Sequence, residues 1–141
     1  MLYLVGLGPG EAGYLNPNAA AALRECDVVV GFRGYIEIAG DLLQGKEVVS
    51  MELGQELERA AKAVDLASEG KSVAVVSSGD PGIYGMSGPV FQVLTDRGWD
   101  GKDPRLESVP GITAMQAAAA LLGLSDPLAK TRKELSGGQR Q

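Results

Sequence analysis

Leu2-Tyr3-Leu4-Val5-Gly6-Leu7-Gly8-Pro9-Gly10 opens with a short apolar run that stops at a loop of three glycines and one proline. Four apolar residues closed by glycine read as a buried strand rather than a helix. The same grammar recurs along the chain. Apolar runs at Asp27–Val30 (DVVV), Glu47–Ser50 (EVVS), Ser72–Val76 (SVAVV) and Leu106–Val109 read as four further strands. Between and after them lie helix-like stretches. Pro17–Glu25 is rich in alanine, with proline suited to a first helical turn. Tyr35–Leu43, Leu53–Ser68, Ser87–Arg97 and Thr113–Leu122 follow. In Leu53–Ser68 the apolar residues Leu53, Leu57, Ala60, Ala61, Val64 and Ala67 fall close to helical spacing. Gly98–Pro104 reads as a loop.

Strands alternating with helices predict an α/β fold, a mostly parallel five-stranded sheet with helices on both faces. Strands that are apolar on both sides, such as VVV and VAVV, suit a sheet covered twice. Ligands of such sheets sit outside the carboxyl ends of the strands, so the unusual residues there are the informative ones.

Composition narrows the chemistry. The 141 residues are 45% hydrophobic and 22% charged, with a formal net charge of −5, 20 glycines, one cysteine and no histidine. Without histidine there is no Ser-His-Asp triad, no Cys-His pair and no histidine metal ligand. Cys26 alone makes neither an internal disulfide nor a thiolate zinc site, so no metal site is expected. An isoelectric point near 4.7 gives no general attraction to nucleic acid or to an anionic membrane. No apolar run reaches the ~18 residues of a membrane span, and Met1–Gly10 lacks a basic leader. A cytoplasmic protein is the expectation, with its chemistry supplied by a cofactor, the backbone, or carboxylate, hydroxyl and basic side chains.

Three strand ends stand out. After the first strand, Gly6-Leu7-Gly8-Pro9-Gly10 lets the backbone turn and approach a ligand closely. It is neither a dinucleotide fingerprint, because Pro9 interrupts G-x-G-x-x-G, nor a Walker loop, because no Lys-Ser or Lys-Thr follows. Alone, it reads equally well as a plain turn. After the fourth strand comes Ser77-Ser78-Gly79-Asp80-Pro81-Gly82-Ile83-Tyr84-Gly85-Met86. Asp80 there is suited to accept hydrogen bonds from a ligand amine or hydroxyl, or to bond its own loop. After the fifth strand, Pro110-Gly111-Ile112-Thr113-Ala114 offers Thr113 as a helix N-cap. One small ligand could touch all three loops, and together they favour a ligand site.

GLGPG at 6–10, SGDPGIYGM at 78–86 and PGITA at 110–114 resemble, in order and spacing, the tetrapyrrole methylase family of S-adenosyl-L-methionine-dependent methyltransferases. SSGDPGIYGM, DVVVGFRGYI (27–36) and LGQELERA (53–60) are most similar to the members of cobalamin and porphyrin biosynthesis that methylate C17 of precorrin-3B. The resemblance covers roughly residues 1–123 and implies the family's N-terminal α/β domain. It implies S-adenosyl-L-methionine as cofactor, contacted by Pro9, Ser78, Gly79, Asp80, Ile83, Thr113 and Ala114, and precorrin-3B or cobalt-precorrin-3 as acceptor. Gly8, Arg33 in the loop after the second strand, and Tyr84 are candidates for the acceptor side, Arg33 because the acceptor carries many carboxylates. Arg33 as a solvated surface residue and Tyr84 as a packing residue stand beside those readings. The resemblance names no catalytic residue.

Beyond Gly123 the pattern changes. LSGGQRQ at 135–141 resembles the signature loop of ABC transporter ATPases, although the chain has no GxxxxGK[ST]. Residues 124–141 are expected to be a tail of foreign character, a short helix with a frayed end, from a junction near Gly123. A donor site shared between two domains would then lack one wall, so turnover is expected to be impaired unless another chain, such as a second copy in a homodimer, supplies it. Three other functions remain open at this stage: a non-catalytic donor-binding half-domain, an ABC-related interaction fragment, and a nicotinamide-binding domain. The last is disfavoured by Gly31, where an acidic residue would be expected at the end of the second strand.

Overall fold

The computed structural model describes residues 1–123; the expectation for 124–141 lies outside them. Five strands, β1 (Leu2–Gly6), β2 (Val28–Phe32), β3 (Glu47–Met51), β4 (Val73–Ser77) and β5 (Leu106–Val109), alternate with five α-helices. These are α1 (Pro17–Glu25), α2 (Arg33–Ala39), α3 (Glu56–Ser68), α4 (Ser87–Asp96) and α5 (Ala114–Leu121). The strands form one sheet in the order β3-β2-β4-β1-β5, and every pairing is parallel.

That order fixes where a ligand can sit. The connection leaving β1 runs toward β2 and that leaving β4 runs toward β5, so the two neighbours send their helices in opposite directions. Because such crossovers are right-handed, the helices fall on opposite faces and a crevice opens between the two strand ends. The core has the two layers this requires. Leu2, Leu4, Val28, Val30, Val73 and Val75 pack with Ala60, Ala63 and Val64 of α3 and Val90 and Leu94 of α4. The alternate residues Val5, Val29, Ala74 and Val76 pack with Ala19, Ala22 and Leu23 of α1 and Ala39 of α2. Period-two alternation thus serves two cores, because both faces are buried.

The largest departures from the sequence expectation are at three helix boundaries. The second helix begins at Arg33 rather than Tyr35, directly from the strand, and ends at Gly40, whose φ of 43° stops it; a 3-10 turn covers Gly40–Leu43. Arg33 is therefore the first residue of a helix, not part of a loop. The third helix begins at Glu56 rather than Leu53, after Gly54 turns the chain at φ 82°. Leu53 and Leu57 stay exposed, and the buried stripe is Arg59, Ala60, Ala63, Val64, Leu66 and Ala67. Gly31 lies inside β2, where an added Cβ would fall 2.5 Å from Val76 Cγ2. Among the described residues no helix is long and apolar enough to cross a membrane.

Candidate functional site

The loops after β4, β1 and β5 are neighbours because those strands are adjacent in the sheet. They are locked together through backbone. The Gly8 N–H donates to the Gly79 carbonyl at 3.1 Å, and the Gly79 N–H donates to the Gly8 carbonyl at 2.8 Å. Gly79 adopts φ 60° to do so, a region that glycine enters without steric cost. A Cβ on Gly6 would lie 2.6 Å from the Gly79 carbonyl oxygen and 2.7 Å from the Gly111 nitrogen. One on Gly111 would strike the same Gly79 oxygen and the Gly6 backbone. Three glycines, one from each strand end, thus meet where no side chain fits.

Asp80 ties the assembly from the side. Its Oδ1 accepts from the Gly82 N–H at 2.8 Å, and its Oδ2 accepts from the Gly111 N–H at 3.0 Å. The carboxylate therefore bonds its own loop and also reaches across to the loop after β5. Thr113 caps α5: its Oγ1 accepts from the Gln116 N–H at 3.2 Å, while Gln116 Oε1 accepts from the Thr113 N–H at 2.9 Å. This reciprocal pair satisfies two N–H groups at the helix start.

Above these loops opens a cleft of about 550 Å³. Its wall contains all of Pro9, Ser78, Gly79, Asp80, Ile83, Thr113 and Ala114, together with Tyr35, Tyr84 and Met115. Tyr84 stands fully exposed at the rim with φ 52°, a left-handed conformation disfavoured for a bulky residue. Gly8 is buried beneath the wall with both backbone groups spent on Gly79. Arg33 does not line the cleft; 64% exposed, it pairs with Glu52 at 3.5 Å.

Tyr35, Met115 and Arg59 are additions to the residues singled out from sequence. Arg59 is only 3% exposed. Its Nη1 donates to the Glu52 carbonyl at 2.7 Å, and its Nη2 lies 3.4 Å from Glu56 Oε1 and 3.7 Å from Met86 Sδ. Met86 in turn donates its N–H to Ser77 Oγ at 3.0 Å. Backbone N–H groups of Glu56 and Gly54 hold the Glu56 carboxyl below its ordinary range, and Arg59 adds to the shift. The signal for Arg59 lay in its position, four residues before Ala63 on the apolar stripe of α3. Cys26 is buried, its thiol bonded to the Leu23 carbonyl and its pKa pushed up chiefly by that burial, which suits packing rather than nucleophilic attack.

The arrangement can hold a ligand of small-cofactor size by backbone groups, hydroxyl side chains and apolar contact. Among the described residues no group of three or more acidic or cysteine side chains could hold a metal ion. The model for the family described as Tetrapyrrole (Corrin/Porphyrin) Methylases matches residues 1–136. A protein of Methanothermobacter thermautotrophicus named "Probable cobalt-factor III C(17)-methyltransferase" is 42% identical over 123 residues, 87% of this chain and 34% of that protein. A crystal structure of the methyltransferase CobJ superposes with a TM-score of 0.79 at 37% identity, covering 86% of this chain and 50% of that one. A uroporphyrin-III C-methyltransferase from Thermus thermophilus, solved with S-adenosylhomocysteine, gives a TM-score of 0.64 at 27% identity over 84% of this chain and 47% of that one. The chain spans 23% to 50% of the length of the first curated relatives it matches.

Proposed function

This chain belongs to the tetrapyrrole methylase family, and from that premise we propose that its cleft holds S-adenosyl-L-methionine for methyl transfer to C17 of precorrin-3B or cobalt-precorrin-3. Residues 1–123 are then the N-terminal α/β domain of a cytoplasmic enzyme of cobalamin biosynthesis. The observation that carries this reading is the meeting of Gly6, Gly79 and Gly111, whose missing side chains bring the backbone of three loops to the floor of one cleft.

The residues present suit the group. S-adenosylmethionine, when bound, supplies an electrophilic methyl on a sulfonium, so the protein needs to orient rather than to activate. Pro9, Gly79, Thr113 and Ala114 shape the wall, and the Ser78 hydroxyl offers a hydrogen bond to a polar tail. Ile83 and Met115 give the cleft an apolar side that excludes water from the reacting atoms. Asp80 acts first on the protein, holding the Gly111 N–H in place, which fixes the distance between two of the three loops. Ile83, Tyr84 and Met115 remain exposed, and turnover requires a further surface laid over them, from the same enzyme or from a second copy.

Calorimetric titration of the chain with S-adenosylhomocysteine tests this reading, beside an Asp80→Ala variant and an ATP control. Binding that weakens at least tenfold in the variant supports it. Absence of binding by a folded chain, or binding of ATP alone, overturns it.

A further inference from the structure

Beside the cleft, and sharing Tyr35, Ser78 and Tyr84 with it, lies a chamber of about 80 Å³ walled by Arg59, Glu56 and Met86. We propose that this chamber is an anion subsite, in which Arg59 receives a carboxylate arm of the acceptor held in the cleft. The inference rests on the reading of the cleft given above and adds a specificity-determining residue to it.

A guanidinium has five N–H donors and no acceptor. In Arg59 one nitrogen meets the Glu52 carbonyl, and another meets a single carboxylate oxygen at 3.4 Å and a thioether, a weak acceptor. The Nε–H has no partner among the described residues although the atom is buried. The nearby Glu56 carboxylate is 44% exposed and holds the cation by one long contact only. Buried guanidinium groups are ordinarily matched by carboxylates in paired, short hydrogen bonds. This one is undermatched, and its side chain forms part of the chamber wall. At about 80 Å³ against about 550 Å³ for the cleft, the space suits a small anionic group rather than a whole macrocycle. Tyr35, Ser78 and Tyr84 belong to both walls, so the chamber is within reach of an arm of something seated in the cleft. Phe32 and Tyr35, edge to face at 5.1 Å, add aromatic surface to the chamber wall.

Uroporphyrin, a stable macrocycle with eight carboxylates, serves as the probe, followed by its fluorescence on titration with the full chain. Glu56→Gln removes the competing charge from a half-exposed position while keeping an amide oxygen for the Gly54 N–H; it is expected to tighten uroporphyrin binding about threefold, with folding checked by circular dichroism. Arg59→Met is expected to weaken it about tenfold, the size of one charge-assisted hydrogen bond. Both variants should bind S-adenosylhomocysteine within about twofold of the parent, since neither side chain lines the cleft. Arg33→Met, outside the chamber, should leave uroporphyrin binding within about twofold. If Arg59→Met fails to fold by circular dichroism, Glu56→Gln decides alone. Unchanged uroporphyrin affinity in Glu56→Gln, a loss in Arg33→Met equal to that in Arg59→Met, or no uroporphyrin binding by the parent chain overturns the inference. A parent chain that binds uroporphyrin in the expected pattern but not S-adenosylhomocysteine would overturn the donor reading instead.

Discussion

The carboxyl edge of the sheet is built in two ways. Over β4, β1 and β5 it is made of backbone: glycine lies on glycine, carbonyls and amides pair between loops, and the charged side chain that joins them, Asp80, binds peptide N–H groups. Over β2 and β3, a few ångströms along the same edge, it is made of side chains: Phe32 on Tyr35, Arg33 on Glu52, Arg59 on Glu56 and Met86. The first region has no give, because a backbone surrounded by backbone cannot rotate out of the way. The second tolerates rearrangement, because its contacts are the ends of long side chains. A cofactor held by the first region is thus held rigidly, whereas an acceptor arm entering the second meets an adaptable wall. The difference predicts how steeply each region responds to small changes.

The largest response is expected from Gly111→Ala. The added methyl would run into the Gly79 carbonyl and lie 2.9 Å from Gly6 Cα, so the loops must separate. Overpacking of this kind costs about 3 kcal/mol where nothing can yield, and S-adenosylhomocysteine binding should be lost. Gly88→Ala is the matched control. Gly88 sits in α4 with open space at its Cβ position, and alanine there should stabilise by about 0.5–1 kcal/mol. Denaturant unfolding of both variants checks the contrast, which fails if Gly111→Ala is as stable as the parent.

Asp80→Ala comes next. It strips the acceptors from the Gly82 and Gly111 N–H groups, and hydrogen bonds to a charged group are worth about 1.5–3 kcal/mol. Asp80→Asn keeps one acceptor and should recover about half of the loss. A thermal melt in which alanine and asparagine behave alike would mean that Asp80 does not tie the loops.

Tyr84→Gly should move the other way in stability. The left-handed backbone at Tyr84 costs about 1–2 kcal/mol for a residue with a Cβ, and its exposed ring returns no packing. Glycine relieves the strain but adds entropy to the unfolded chain, so a net gain of about 0.5–1 kcal/mol is expected. Uroporphyrin binding should fall in the same variant, since Tyr84 belongs to the walls of both cleft and chamber. A variant both less stable and unchanged in binding would remove Tyr84 from the acceptor side.

Legibility from sequence followed the same division. The alternation of apolar runs and helices was enough for the class of fold and the number of strands, because burial on two faces forces apolar residues onto both sides of β2 and β4. The backbone-built loops were readable because close approach demands glycine, and glycine leaves a mark in the sequence: GLGPG, SGDPG and PGITA could be read before any fold was known. The helix starts at Arg33 and Glu56 were missed by two and three residues. At the first no loop separates strand from helix; at the second Gly54 turns the chain later than the apolar spacing suggests. The side-chain-built region left only a fainter mark, the position of Arg59 on the apolar stripe of α3. Arg59 lies between a glutamate and two alanines in an ordinary amphipathic helix, and nothing in its neighbours shows that it is short of partners.

Arg33 offers the smallest effect and the sharpest division between the two arginines of this edge. From sequence it was the basic residue chosen for the acceptor; the structure places it outside the cleft, 64% exposed and paired with a Glu52 side chain that is 61% exposed. An exposed pair at 3.5 Å is worth about 0–1 kcal/mol and less in salt. Arg33→Ala should therefore leave the unfolding midpoint within error at physiological ionic strength. The Arg59 contact to the Glu52 carbonyl is made by backbone and does not depend on the Glu52 carboxylate. If acceptor carboxylates were drawn by long-range attraction to any arginine of this edge, both arginines would matter, and the dependence would fade together as salt is raised. If a buried, undermatched guanidinium receives them, only Arg59 matters, and its effect survives salt, because a charge shielded from water is also shielded from counterions. Measuring uroporphyrin affinity of Arg33→Ala and Arg59→Met at two ionic strengths separates these cases. The expected result is a flat response for Arg33 and a salt-resistant loss for Arg59.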